Sequence, residues 1–239
     1  IFLIVPIILI NYENYIYSLL IIYAFLIGIF SDTKILVSPK KRFLFQITLI
    51  FFSVIFLNLE ILSSRLIFFD NLLEEKIFNI FFTSFCMLVL LNGSNFIDGL
   101  NGLLITYVTI VIIVLFKLNL ISGFLLYEDQ IKYIIFFLLI LNILNFCNLL
   151  MLGDAGAYIL SFFVGFLIIN CHKLNPYISP YFFITLIWYP CYENLFSIIR
   201  KSISNYSPLS PDNKHLHQLL YLVIKKNLFI NSLLANNAS

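Results

Sequence analysis

Asn92-Gly93-Ser94-Asn95-Phe96-Ile97-Asp98-Gly99-Leu100-Asn101-Gly102 lies between two long apolar runs, Ile77–Leu91 and Leu103–Leu120. Each glycine costs a helix interior about 1 kcal/mol relative to alanine, so the stretch reads as a polar turn. Asn92, Asn95 and Asp98 recur every three positions and would share one face if the turn carried helical character. Where two membrane helices meet water, such a group can hold a metal or a sugar nucleotide. The same residues also suit an ordinary hydrophilic loop. Three further polar islands in the chain decide between the two readings.

The chain has 239 residues, 62% hydrophobic and only 11% charged, with a mean hydropathy of +1.02. Soluble domains are about one quarter charged, so this composition specifies a polytopic membrane protein. A net charge of +2 is too small and scattered for a nucleic-acid partner. Cys86, Cys147, Cys171 and Cys191 all sit in or beside apolar runs and form no C-x-x-C pair. They read as small core hydrophobes rather than metal ligands or disulfides. Because the chain opens at Ile1 inside an apolar run, a single integral-membrane domain over 1–239, truncated at both ends, is the expected organisation.

A membrane span needs roughly 20 apolar residues, with about 17 as the lower limit. After a partial run at Ile1–Ile10, that rule selects Tyr15–Phe30, Phe43–Leu59, Ile77–Leu91, Leu103–Leu120, Ile131–Met151, Ala155–Cys171 and Tyr181–Ile199. The fold class is therefore all-α, a polytopic transmembrane bundle of about eight helices. Leu219–Ile224 and Leu228–Leu234, split by Lys225-Lys226-Asn227, read as a re-entrant or surface segment leading to a last helix. Glu60–Lys76 reads as a small hairpin or interfacial helix.

Counting crossings puts Ser31–Arg42, Asn92–Gly102, Leu152–Asp154 and Arg200–His217 on one side. Glu60–Lys76, Asn119–Gln130 and Lys173–Pro180 fall on the other. Lys34, Lys40, Lys41, Arg42, Arg200, Lys201 and Lys214 outnumber the basic residues of the second side, which makes the first side cytoplasmic by the positive-inside rule. Asp32, Asp98, Asp154 and Asp212 each occupy one of the four islands on that side.

In the first island, Asp32 at the end of an apolar helix needs a partner or a role, while Lys40, Lys41 and Arg42 suit a topology-fixing loop. In the third, Met151-Leu152-Gly153-Asp154-Ala155-Gly156-Ala157-Tyr158, small residues permit close helix packing. There Asp154 offers a carboxylate at a helix N-terminus, useful to a diphosphate only through a divalent ion. In the fourth, His215 and His217 stand beside Lys214 and Asp212, and at i and i+2 they cannot share a helical face. Glu193, inside an apolar span after Pro190, counts as a functional or helix-pairing residue. Acids, amides, imidazoles and cations on one face are the equipment of metal-assisted phosphoryl transfer.

The islands GIFSDTKILVSPKKRFLFQ, NGSNFIDGLNGL, LGDAGAYILSFFVG, WYPCYENLFSIIRK and SPDNKHLHQLLY run from Gly28 to Tyr221. In this order and spacing the chain resembles the polyprenyl-phosphate N-acetylhexosamine-1-phosphate transferases, the MraY/WecA group of glycosyltransferase family 4. It looks closer to O-antigen and capsule-type bacterial members. The resemblance implies a multi-pass enzyme of the bacterial inner (plasma) membrane with a cytoplasmic active site. It implies transfer of a sugar 1-phosphate from a UDP-sugar to undecaprenyl phosphate with release of UMP, dependent on Mg²⁺ or Mn²⁺. Its partners would be these two substrates and the bilayer, with a homodimer left open.

By the same resemblance Asp154 would bind the metal with Asn95 beside it. Asp32, Asp98, His215 and His217 would be catalytic, and Asn92, Asn101, Arg200 and Lys41 would bind substrate. Two departures stand out. Ser31 replaces the first of two adjacent acids usual in the family, and Asn148–Met151 lacks the usual basic residue before Gly153-Asp154. They define the alternative, a catalytically weak or inactive homologue acting as a membrane scaffold.

Overall fold

The structure, a computed structural model, describes residues 15–118, 128–204 and 215–228. Their regular elements are helices: α1 (Tyr15–Asp32), α2 (Pro39–Phe56), α3 (Ile67–Glu74), α4 (Lys76–Ile97), α5 (Leu103–Lys117), α6 (Glu128–Phe146), α7 (Gly153–Leu174), α8 (Pro180–Leu186), α9 (Trp188–Ile203) and α10 (Leu216–Leu228). The all-α bundle is as expected. Helices α1, α4 and α7 are long and apolar enough to cross a membrane, and α8 with α9 makes a fourth if the bent pair is one span. Large side chains such as Leu19, Leu26, Phe81 and Phe85 are exposed along α1 and α4, as lipid-facing residues are.

The centre of the bundle is α7, buried along almost its whole length. Helices α1, α4, α5 and α8 pack against it. A Cβ on Gly28 of α1 would lie 2.2 Å from the Ala155 Cα, so two backbones meet there with no room for a side chain. Small residues set that approach, as they do in membrane helix pairs.

Three features differ from the sequence reading. First, α4 does not stop at Leu91 but continues through Asn92-Gly93-Ser94-Asn95 to Ile97. Gly93 is there for packing rather than for a turn, since a Cβ on it would fall 1.9 Å from the Pro190 carbonyl oxygen of α9. The turn proper begins at Asp98. It ends at Gly102, whose φ of 76° suits glycine. Second, the expected span Tyr181–Ile199 is broken into α8 and α9, which meet at 77°. Pro190 has no N–H to donate and its ring crowds the carbonyl four residues back. That carbonyl, on Leu186, instead accepts the Tyr107 hydroxyl at 2.7 Å, so the break leaves no orphaned acceptor. Third, α10 runs unbroken through Lys225. Ile1–Ile10, Asp212, Lys214 and most of Leu228–Leu234 lie outside the described residues.

The end of the bundle that carries Glu60–Lys76 is tied together by its own polar contacts. Glu60 pairs with Lys173, and Arg65 donates to the Tyr177 carbonyl at 2.9 Å. Asn79 bonds both main-chain groups of Ile61 and the Leu73 carbonyl. The Glu60–Lys76 segment contains the short helix α3, with Ile67 and Phe68 exposed. Of the two expected forms, hairpin or helix, the segment takes the helical one.

Replacing Gly93 by Ala should force α9 away from α4 and lower the thermal midpoint in detergent, by an amount equivalent to about 1–3 kcal/mol. Gly165→Ala is the control, because its nearest neighbour is the flexible Met87 Cε at 3.2 Å, and its loss should stay below about 1 kcal/mol. Equal midpoints for the two variants would remove the backbone contact from the account.

Candidate active site at one end of the bundle

The site is built outward from the first turn of α7. The leading N–H groups of a helix have no partner of their own. Here Asp32, the last residue of α1, supplies one from outside. Its Oδ1 accepts Asp154 N at 2.9 Å and its Oδ2 accepts Ala155 N at 3.1 Å. Gly153 turns the chain into α7 with a φ of 66°. A Cβ at that position would lie 2.8 Å from Asp32 Oδ2, so the cap closes directly over a glycine.

Asp154 faces the same place. Its Oδ2 accepts the Ser31 hydroxyl and Arg42 Nη1 at 3.0 Å, and Nη1 also reaches Ser31 Oγ at 2.7 Å. Arg42 is the cation the sequence reading left in a topology-fixing loop. Ser38-Pro39 starts α2, with proline in its first turn. Arg42 therefore lies one turn in, turned back toward the end of α1. The Ser-Pro start was the signal that could have found it. Lys41 beside it is exposed.

Asp98 closes α4 and brings a third carboxyl group. Burial pushes it up to about 8, and the charges of Asp154 and Asp32 add to the shift. Three acids thus feel one another, with Arg42 the cation bonded to Asp154. Asn95 stands one turn before Asp98 and is half-buried. Among the described residues no three His, Cys, Asp or Glu side chains form a ready-made metal cage. Mg²⁺ does not require one, since it characteristically takes one or two carboxylates and fills its shell with phosphate oxygens and water. Crowded hard-oxygen donors short of positive charge fit a divalent ion that arrives with a diphosphate.

The other amides of the second island have structural bonds. Asn92 donates to the Leu88 carbonyl of its own helix at 3.0 Å. Asn101 donates to Asn148 Oδ1 at 2.7 Å, linking the α4–α5 turn to the α6–α7 turn. Arg200 lies 5.5 Å from the Phe196 ring centroid. Its neighbour Lys201 is buried, 5.9 Å from the centroid of Phe96 in the second island.

The fourth island joins through both histidines. The His215 ring lies on Phe96 with centroids 4.8 Å apart, and the His217 ring is nearly parallel to it at 5.8 Å. A Cβ on Gly99 would come within 2.7 Å of His217 Nε2. Glu193 of α9 is buried and pairs with His215 Nδ1 at 2.9 Å. The described residues of all four islands therefore share one end of the bundle, with the first and third fused around Asp154 and the second and fourth around Phe96 and Gly99. Asp98 belongs to both groups.

No solved structure matches the chain. It is similar to the undecaprenyl-phosphate alpha-N-acetylglucosaminyl 1-phosphate transferase of Escherichia coli O157:H7, at 26% identity over 196 residues, 79% of this chain and 53% of that protein. Proteins of the same name from Escherichia coli strain K12 and Shigella flexneri are each 27% identical over 150 residues, 60% of this chain and 41% of theirs. The chain spans about half the length of these relatives or less. The sequence model of glycosyl transferase family 4 matches residues 14–172, and the chain belongs to that family.

Proposed function

We propose that this chain carries the catalytic end of a polyprenyl-phosphate sugar-1-phosphate transferase. The donor is a UDP-sugar, in our reading a UDP-N-acetylhexosamine, and the acceptor is undecaprenyl phosphate. An acceptor phosphate oxygen attacks the sugar-bearing phosphorus of the donor. The bond from that phosphorus to the bridging oxygen breaks, UMP leaves with the oxygen, and a lipid diphosphate sugar remains. The observation that carries the proposal is the convergence of Asp32, Asp98 and Asp154 at the first turn of α7, with Arg42 bonded to Asp154. The basic residues Lys34, Lys40, Lys41, Arg42, Arg200 and Lys201 at this end favour a cytoplasmic site in the bacterial plasma membrane.

Each side chain has a task its bonds support. Asp154 and Asn95 would hold Mg²⁺ or Mn²⁺, which supplies charge neutralisation on the diphosphate and on departing UMP. Asp32 has both oxygens taken by main-chain N–H groups, so its bonds favour positioning Asp154 over moving a proton. Arg42 holds Asp154 through Nη1, which also bonds Ser31, and its other N–H groups can bond an incoming phosphate. His215 and His217 contact substrate oxygens beside Gly99. The Ser31 hydroxyl occupies the usual acid's position without adding a fourth negative charge, which favours an active enzyme over a scaffold.

In the full-length protein, Asp154→Asn should reduce divalent-dependent UMP release with undecaprenyl phosphate by at least about 100-fold. Unchanged turnover would remove the proposed metal site.

Arg42→Ala should lower turnover by roughly 10- to 100-fold, with Arg42→Lys intermediate because an ammonium can replace Nη1 between Ser31 and Asp154 but lacks the further guanidinium N–H groups for an incoming phosphate. Equal rates for arginine, lysine and alanine at this position would show that the pair is incidental.

A further inference from the structure

Glu193 and Tyr189 are side chains to which the transfer reaction assigns no task. Glu193 is 2% exposed and His215 3% exposed. A buried carboxylate must have its lone pairs satisfied. Glu193 Oε1 accepts the Leu216 main-chain N–H at 2.9 Å, and Oε2 faces His215 Nδ1 at 2.9 Å. A carboxylate oxygen at that distance requires a proton on Nδ1, whether the imidazole is neutral or cationic. Nε2 is left as the nitrogen of His215 that can gain or lose a proton.

His217 is bound the other way round. Its Nδ1 lies 3.3 Å from the Tyr189 hydroxyl. Among the described residues Nδ1 is the acceptor within hydrogen-bond reach of that hydroxyl, which therefore directs its hydrogen there. The proton of neutral His217 then resides on Nε2, an atom that is buried and without a partner among the described residues. This donor comes up against Gly99. A buried N–H left unmatched is costly unless a ligand supplies the acceptor. Burial, and then the neighbouring His215, lower the His217 pKa to about 4, against an opposing effect of Glu193. The charged groups around the pair are Glu193 on α9, Lys201 over Phe96, and Asp98 one residue before Gly99.

We infer that Glu193 and Tyr189 are positioning residues that lock the two stacked histidines into opposite tautomers. His215 carries its fixed proton on Nδ1, and His217 presents a permanent Nε2–H donor to a substrate oxygen at Gly99. The inference rests on this end being the substrate pocket. In this arrangement His217 acts only as a hydrogen-bond donor. Tautomer assignment by the other ring nitrogen's partner is how a carboxylate or hydroxyl controls an imidazole from outside the reacting atoms.

The test is the ¹⁵N side-chain spectrum of the ¹⁵N-histidine-labelled full-length protein in lipid nanodiscs. The signals of this chain's three histidines are assigned with single His→Asn variants. The inference expects Nδ1–H on His215, and a neutral Nε2–H form of His217 that persists below about pH 5.5. A proton on Nδ1 of His217, or a cationic His217 at pH 6.5, would overturn it. Tyr189→Phe should move His217 toward a mixture of tautomers and lower kcat roughly tenfold, with KM changing less. If that variant loses activity but keeps the parent His217 spectrum, the hydroxyl is structural only and the inference fails. Glu193→Gln has one acceptor oxygen for two N–H donors, and it should move the His215 ¹⁵N signals toward a mixture of tautomers. The parent spectra need no turnover, so an inactive protein with the expected tautomers would count against the proposed function alone.

Discussion

The structure depends on how one buried helix begins. Helix α7 runs through the centre of the bundle, and its leading N–H groups have no carbonyl of their own helix to bond. Asp32 answers two of them from the end of another helix. This bond requires α1 and α7 to approach within backbone contact, which Gly28 and Ala155 permit. It also requires the turn before α7 to be a glycine. A carboxylate at a helix N-terminus is favourable on its own account. Here it additionally fixes the depth and direction of Asp154, and so the position at which acids from three parts of the chain meet.

The remaining segments are set by the same demand, that no main-chain group be left bare within lipid. The break before Pro190 leaves the Leu186 carbonyl to be taken by Tyr107. Asn194 of α9 reaches the Val89 carbonyl of α4 at 3.0 Å, and Gly93 lets the two helices close on each other. These contacts hold α9 against the end of α4, which brings Glu193 and Tyr189 under the histidines. Apolar packing sets which helices touch, while the polar bonds set their register at the working end.

Much of this was legible in the chain because a membrane imposes a coarse rule. Apolar runs locate helices, and polar islands between them must alternate sides. That reasoning put Asp32, Asp98, Asp154 and His215 at one end, and the structure brings them there. It misjudged Gly93, since a glycine that admits a neighbouring backbone looks the same in sequence as one that turns the chain. It read Tyr181–Ile199 as one span because hydropathy does not register a bend. Arg42 was taken for a topological charge, for its partner Asp154 is distant in sequence and joined only by tertiary contact. Glu193 was singled out by the cost of an acid in an apolar run, but its partner could not be named from spacing.

The most direct measurement is the distance from a bound Mn²⁺ to spin labels at two exposed positions, Lys34 beside the site and Ile67 on α3. The hydrocarbon core is about 30 Å thick, so an ion held by Asp154 should lie under roughly 20 Å from the first label and about 30 Å or more from the second. An ion nearer to the Ile67 label, or equally far from both, would contradict a metal site at the first turn of α7.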